Sequence, residues 1–468
     1  MSDPRCVEYQ KHRRALGPFL LSRGLGIVVV ACIFAVGCRL HLQSDPIVVN
    51  WDTMHQTIDG FGASATGYVT GFTPQQADQF FSAEKGLGLS LLRIRAIADT
   101  KHLDCGCVVN AEPYACVVGE KSQIVSGDLQ TAQLAVARGA KVFATPWSPP
   151  AEMKTSGKYC SSGEMKEDPA NYEKYAGELA DYLSLLQKNG LAIMAISVQN
   201  EPDLENKDYD TCRWTGKQIH DFIPLLSKAI SGAGFESVKI AAPEQSKWAF
   251  DLMKETMGDP SAADKVGLIF GHGYDSDDPS GLPAVSGRHF WETEVGEATS
   301  FDGGISDGLR WARSIHNYMT IGANAWMYWS LSCAEKHFNH GNNMCLTDQK
   351  GDLAKRGYVL GQYAKFVRPG WQRIGVTNNS PLLVTAYRGP ANDFVLVIVN
   401  ENRSPVRDQP FLLNGATSLH HNVAPWITSS SASLAAQSTV PLAADGITLR
   451  YTIPGNSVVT FQGKADQN

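Results

Sequence analysis

Two acidic residues stand where short apolar runs end, and their surroundings suit acid chemistry. Glu201 closes the run Val198-Gln199-Asn200-Glu201-Pro202, and Glu294 closes Phe290-Trp291-Glu292-Thr293-Glu294-Val295. Two carboxylates facing each other across a cleft can break a glycosidic bond: one protonates the leaving oxygen, and the other attacks the anomeric carbon and is displaced by water. Asn200, beside the first acid, is placed to bond a sugar 2-hydroxyl, a contact that strengthens in the transition state. A lone Glu at a strand end is more often a helix cap or an ion-pair partner, but two together are less easily explained that way. The second run also holds Glu292, which is two residues from Glu294 and points to the same side. Glu294 lies nearer the C-terminal end of its run and Glu292 one layer deeper, so Glu294 is the expected partner of Glu201.

Other run ends could complete a sugar site. Arg93 can orient Glu294 and hold its pKa down, leaving it ionised while Glu201 stays protonated, although a structural ion pair would use the same residue. Trp147, His272, Tyr274, Trp326 and Trp329 offer apolar faces for pyranose rings and polar tips to orient them. Any one of these is more often core than ligand; five together with two carboxylates favour a site.

These residues need a scaffold that gathers strand ends, and the chain supplies one. Eight continuous apolar runs recur: Thr57–Ala63, Ser90–Ala96, Lys141–Trp147, Ala192–Gln199, Val238–Pro243, Val266–Tyr274, Arg288–Val295 and Ala323–Leu331. Each is expected to return through an amphipathic helix, which makes a parallel sheet closed into a (β/α)8 TIM barrel of the α/β class. Helix starts are marked by Thr73-Pro74 and Asp168-Pro169. From the second of these, Tyr172, Tyr175, Ala176, Leu179, Leu183 and Leu186 fall on one helical face, and Asn189-Gly190 ends it. The acids then fall on strands 4 and 7, Arg93 on strand 2, Trp147 on strand 3, His272 and Tyr274 on strand 6, and Trp326 and Trp329 on strand 8. Facing strands of so small a barrel can bring the two carboxyls within about 5–5.5 Å, the separation of a retaining enzyme.

After Phe366 the pattern changes to short β-rich runs, Leu382–Tyr387, Phe394–Val399, Phe411–Leu413, Ile447–Thr452 and Val458–Phe461, expected to form an attached β-sandwich. Ile47–Asn50 is strand-like, lies outside the eight and is expected to join this second domain. The expected divisions are 1–38, a signal; 46–55, the N-terminal strand of the side domain; 56–366, the catalytic barrel; and 367–464, the sandwich. Thr428–Ser433 reads as a surface loop.

The 468 residues are 43% hydrophobic and 19% charged, which excludes a disordered acidic tail, and Gly and Pro are too few for a collagen. Lys11, Arg13, Arg14 and Arg23 precede an uncharged stretch, Leu25–Cys38, that is short for a bilayer span but suits a secretory signal. Export is expected. Lipoprotein-type cleavage before Cys38, ordinary cleavage nearby and an uncleaved membrane tether all fit the pattern. Loss of residues 1–38 removes five Lys/Arg and two Asp/Glu, taking the formal charge from −6 to −9. So acidic a chain argues against nucleic acid or anionic membranes as partners.

Seven cysteines remain, at 105, 107, 116, 160, 212, 333 and 345, and an oxidising compartment favours disulfides among them with at least one left over. Cys333, His337, His340 and Cys345 do not follow a usual zinc spacing, so a Cys333–Cys345 disulfide is the expectation there. No metal or organic cofactor is implied, because both steps of the reaction need only the carboxylates.

At these residues the sequence resembles glycoside hydrolase family 30, which includes bacterial xylanases, endo-β-1,6-galactanases and glucosylceramidases. The marks are Gln56-Thr57-Ile58-Asp59-Gly60-Phe61-Gly62, Leu92-Arg93-Ile94-Arg95, Trp147-Ser148-Pro149-Pro150 with Met153-Lys154, Asn200-Glu201-Pro202, Thr293-Glu294, and Lys355-Arg356-Gly357-Tyr358 leading to Lys365-Phe366-Val367-Arg368-Pro369-Gly370. The resemblance implies Glu201 as acid/base, Glu294 as nucleophile and a side domain built from both chain ends. It is greatest to the xylanases, through the last segment and through Trp214-Thr215-Gly216 with Ile219-His220-Asp221-Phe222. Xylanases of the family that require a glucuronate branch use an Arg after strand 8, whereas Ser332–Asp348 offers Lys336, His337 and His340 but no Arg. The loop with Cys105, Cys107 and Cys116 is a further local elaboration. The expected protein is an exported, monomeric, retaining β-glycosidase of plant cell-wall polysaccharide, foremost β-1,4-xylan. The alternatives are a β-1,6-glucanase or galactanase, a glucosylceramidase-like enzyme, and a non-catalytic carbohydrate-binding barrel. The last is disfavoured because both acids are intact, and no apolar run is seen that would make an entrance for lipid.

Overall fold

A computed structural model describes residues 44–466 apart from 66–70, 97–107, 110–111, 114–121, 160–162, 207–208, 276, 284–286, 334–341 and 420–421. Residues 1–38, expected to be a signal, and Cys105, Cys107, Cys116, Cys160, Lys336, His337 and His340 lie outside the described residues.

Eight parallel strands close into a barrel: Gly60–Ser64, Leu91–Ala96, Lys141–Pro146, Ala195–Ser197, Lys239–Gln245, Val266–His272, His289–Val295 and Ala325–Tyr328. They correspond to the eight apolar runs in order. Leu91, Phe143, Ala195, Ala241, Leu268, Phe270, Trp291, Ala325 and Met327 fill the barrel's interior. Outward-facing positions pack under the helices, so both faces of each strand are buried and the runs read as continuous apolar stretches.

The helices form where their ends are satisfied. Thr73 and Gln76 make a reciprocal cap at the start of Pro74–Phe81, and Asp168 caps Pro169–Lys188 through the Ala170 N–H. Gly190, at φ 77°, follows the end of the second helix. All six residues of its predicted apolar face are buried. The connection between strands 6 and 7 departs from the expected repeat, with no helix among its described residues. Asp278-Pro279-Ser280-Gly281-Leu282-Pro283 explains this, since two prolines and a glycine in six residues remove donors and restrict the backbone.

The second domain is one ten-stranded, mostly antiparallel sheet that curls around its own core. Strand Ile47–Thr57 runs antiparallel to Gln372–Thr377 on one side and parallel to Val406–Asn414 on the other. Along Asp393–Asn400 the period of two is plain: Phe394, Leu396 and Ile398 enter the sheet's core, while Val395, Val397 and Val399 pack in the cluster shared with the barrel helices. Cys333 and Cys345 form a disulfide across the loop after strand 8, and Cys212 is a buried free thiol.

Candidate active site

The C-terminal mouth of the barrel gathers eight of the nine predicted site residues. Arg93, from the middle of strand 2, is fully buried and reaches four partners, its Nε donating to the Thr145 hydroxyl at 3.3 Å. Its guanidinium bonds Glu294 Oε2 closely, donates to Asn200 Oδ1 at 2.6 Å and pairs with Glu244 Oε1 at 2.9 Å. Burial opposes its charge, and the attraction of Glu244 and Glu294 outweighs burial and keeps it charged. Trp147, at the end of strand 3, lies with its ring 4.5 Å from the same guanidinium and 6.1 Å from the ring of Trp329.

Asn200 and Glu201 follow the end of strand 4 after Val198 and Gln199, held by backbone bonds to Pro146 O at 2.8 Å and Glu244 O at 3.0 Å. Glu201 has φ 46°, a left-handed conformation that only firm surroundings hold in a non-glycine residue. Its carboxylate accepts from Tyr209 Oη at 3.0 Å and lies 3.2 Å from His272 Nδ1. Glu294, at the end of strand 7, also accepts the Tyr274 hydroxyl at 2.8 Å. Tyr274 leaves 38% of its surface open at the mouth, an apolar face available to a ligand.

The decisive distance is across the mouth. One oxygen of Glu201, one of Glu294 and one nitrogen of His272 lie within 4.8 Å of one another. Carboxyls about 5–5.5 Å apart leave no room for a water beside the sugar and suit attack by one of them, whereas inverting enzymes hold theirs at about 6.5–9.5 Å.

His272 sits among three carboxylates, with Nε2 3.6 Å from Glu244 and 3.7 Å from Glu294. Burial would lower its pKa, but Glu294, Glu201 and Glu244 together carry it up to about 10.

Glu244 is the residue the sequence reading missed. Burial lifts its pKa, Arg93 and His272 more than offset this, and it is held below the usual range. Hydroxyls of Thr145 and Thr293 support it at 3.0 and 3.3 Å, and its φ is 62°. Burial raises the pKa of Glu294, opposed by His272 and Arg93 and reinforced by the charge of Glu201.

Trp326 does not belong to the mouth, which corrects the expectation. Its strand neighbours Ala325 and Met327 point into the barrel, so Trp326 points out, 6.3 Å from Trp311 of helix Ile305–Ile321. Trp329 lies just past the strand end and does reach the mouth, beside Trp147.

A closed (β/α)8 barrel with two close carboxylates at its C-terminal mouth, beside a cationic dyad and aromatic faces, has the architecture of an O-glycosyl hydrolase. Comparison with known proteins places it further. Residues 112–304 match the Glycosyl hydrolase family 30 TIM-barrel domain. The glucuronoxylanase XynC of Bacillus subtilis (strain 168) is 30% identical over 452 residues, covering 92% of this chain and 95% of its own. The mouse lysosomal acid glucosylceramidase is 24% identical over 58% of each chain. Among solved structures, the family 30 subfamily 8 xylanase Xyn30A from Clostridium acetobutylicum has a TM-score of 0.76 at 31% identity, covering 90% of this chain and all of the other. The chain belongs to glycoside hydrolase family 30.

Proposed function

We propose that the protein hydrolyses β-1,4-xylan with retention of anomeric configuration, Glu294 acting as nucleophile and Glu201 as acid/base. The observation that carries this reading is the approach of the two carboxylates to within 4.8 Å. Three carboxylates, Glu201, Glu244 and Glu294, face two cations, Arg93 and His272, so one added proton neutralises the cluster. Arg93 bonds Glu294 and Glu244 but not Glu201, which gives the permanent counter-charge to the nucleophile rather than to the acid. A proton on Glu201 also removes the repulsion that raises the pKa of Glu294. In the first step Glu201 protonates the leaving oxygen while Glu294 Oε attacks the anomeric carbon. In the second, ionised Glu201 takes a proton from water, which releases the sugar from Glu294. Asn200, fixed by Arg93, presents its amide toward the 2-hydroxyl, and Tyr274, Trp147 and Trp329 supply apolar faces.

Xylan as substrate is supported by the named activities of the relatives that cover nearly the whole chain. The absence of an Arg from Ser332–Asp348 supports activity without a strict need for glucuronate branches. Export fits the N-terminal pattern of cations and an apolar stretch. A product profile on glucuronoxylan, linear xylo-oligosaccharides and β-1,6-galactan tests the substrate: cleavage of both xylan substrates is expected, and cleavage confined to galactan contradicts the reading. Activity abolished by removing glucuronate contradicts the specificity.

A further inference from the structure

The loop after strand 4 brings an unassigned hydroxyl to Glu201. Tyr209 Oη donates to Glu201 Oε2 at 3.0 Å. Its segment is anchored just beyond that residue by two buried contacts. Asp210 pairs with Arg95 of strand 2, and the Thr211 carbonyl accepts from Lys154 Nζ.

Lys154 is fully buried, and its ammonium has three acceptors. They are Ser148 Oγ at 3.1 Å, the Tyr159 carbonyl at 2.8 Å and the Thr211 carbonyl. The first two belong to the segment after strand 3 and the third to the loop after strand 4. One side chain therefore fastens two loops together beneath the mouth. No carboxylate is among these partners, and burial draws the Lys154 pKa down to about 8. A buried cation held only by neutral oxygens is a poor source of stability, since an apolar side chain of similar size escapes the desolvation cost. What it adds is geometry, because three acceptors from two loops fix where the Tyr209 segment lies.

We propose that Tyr209 stabilises the charge that develops on Glu201 during proton transfer, and that Lys154 is the positioning residue that holds Tyr209 in place to do so. The inference rests on Glu201 being the acid/base. As the bond between anomeric carbon and leaving oxygen breaks, its electron pair goes to that oxygen and the Glu201 proton follows. The carboxylate left behind accepts the Tyr209 hydroxyl more strongly than the acid did, so the contact favours the transition state.

Tyr209→Phe and Lys154→Met, singly and together, are to be assayed on aryl β-xylobiosides whose leaving phenols run from strongly to weakly acidic, with Tm recorded for each. A good leaving group needs no proton, so a defect in the acid appears only on poor ones. Tyr209→Phe is expected to lower kcat/KM on the poorest leaving groups on the order of tenfold and to leave the best unchanged. Lys154→Met is expected to reproduce that slope and to add nothing to it in the Tyr209→Phe background. Equal losses across the series, or additive slopes in the double variant, overturn the proposal, because a purely structural role lowers all substrates alike. Ser148→Ala, which removes one acceptor, gives the same reading by a smaller slope should Lys154→Met not fold. The parent assignment has its own control: Glu201→Gln falling equally on good and poor leaving groups contradicts Glu201 as acid, whatever Tyr209 does.

Discussion

Glu292 accepts the backbone N–H of Glu294 at 3.0 Å. Its other oxygen accepts the N–H of Met327, on the neighbouring strand, at 3.1 Å. The two acids of strand 7 do not share a side as their spacing suggested: Glu292, in register with the outward Trp326, ties strand 7 to strand 8, and a register shift beyond it lets Glu294 face Glu201. Glu292→Gln should leave kcat within a few-fold, because no substrate reaches it, and should cost about 1–3 kcal/mol of stability by leaving one buried N–H without an acceptor. Glu294→Gln should do the reverse, with Tm nearly kept and activity on xylan lowered by at least about 10³. Paired thermal melts and initial rates distinguish the two.

Arg93 is the one permanent cation that joins Glu294, Asn200 and Glu244. Removing it as Arg93→Met should cost about 3–5 kcal/mol, since the buried carboxylates lose their counter-charge. Arg93→Lys keeps the charge but cannot span three partners with one ammonium. Urea titrations should therefore rank Met below Lys in stability, while xylan hydrolysis falls steeply in both.

His272 makes stability pH-dependent in a defined direction. Its pKa is raised from 6.5 to about 10 in the folded state, so the stability it contributes is complete below pH 6.5 and is lost as pH rises toward 10. Glu292, raised to about 8, acts in the same sense below that pH, because the unfolded chain releases a proton that the folded chain keeps. Unfolding free energy measured from pH 6 to 10 should fall steadily, and His272→Asn should flatten the upper part of that decline.

Trp326, on the outer face of strand 8, and Trp147, at the mouth beyond strand 3, make a further contrast. Trp326→Ala should cost about 3–5 kcal/mol by opening a cavity against Trp311, with KM unchanged in the protein that folds. Trp147→Ala should raise KM for xylo-oligosaccharides, since its ring lies at the mouth over Arg93. Steady-state kinetics beside calorimetry separates a wall residue from a binding one.

The barrel was legible in the sequence because strands buried on both faces read as unbroken apolar runs, and Glu201, Glu294 and Arg93 were legible as polar residues at the ends or centres of those runs. Glu244 was missed where its run was taken to stop, at Pro243, one residue short of a left-handed turn that aims the carboxylate at Arg93. Trp326 was misplaced because it was grouped with Trp329, although the alternation of Ala325, Trp326 and Met327 puts the middle residue outside. Lys154 stood within a family mark, but one of its acceptors, the Thr211 carbonyl, lies 57 residues along the chain, a proximity no local spacing reveals. The helix expected between strands 6 and 7 failed for the opposite reason, since the prolines that exclude it are visible in the chain itself.

The close approach of Glu201 and Glu294 makes one claim above the others, that hydrolysis proceeds by double displacement. Proton NMR of xylo-oligosaccharide cleavage, followed from the first seconds, reads it directly. With double displacement the β-anomer of the new reducing end accumulates first and the α-anomer appears only later, by mutarotation. Initial release of the α-anomer would contradict it.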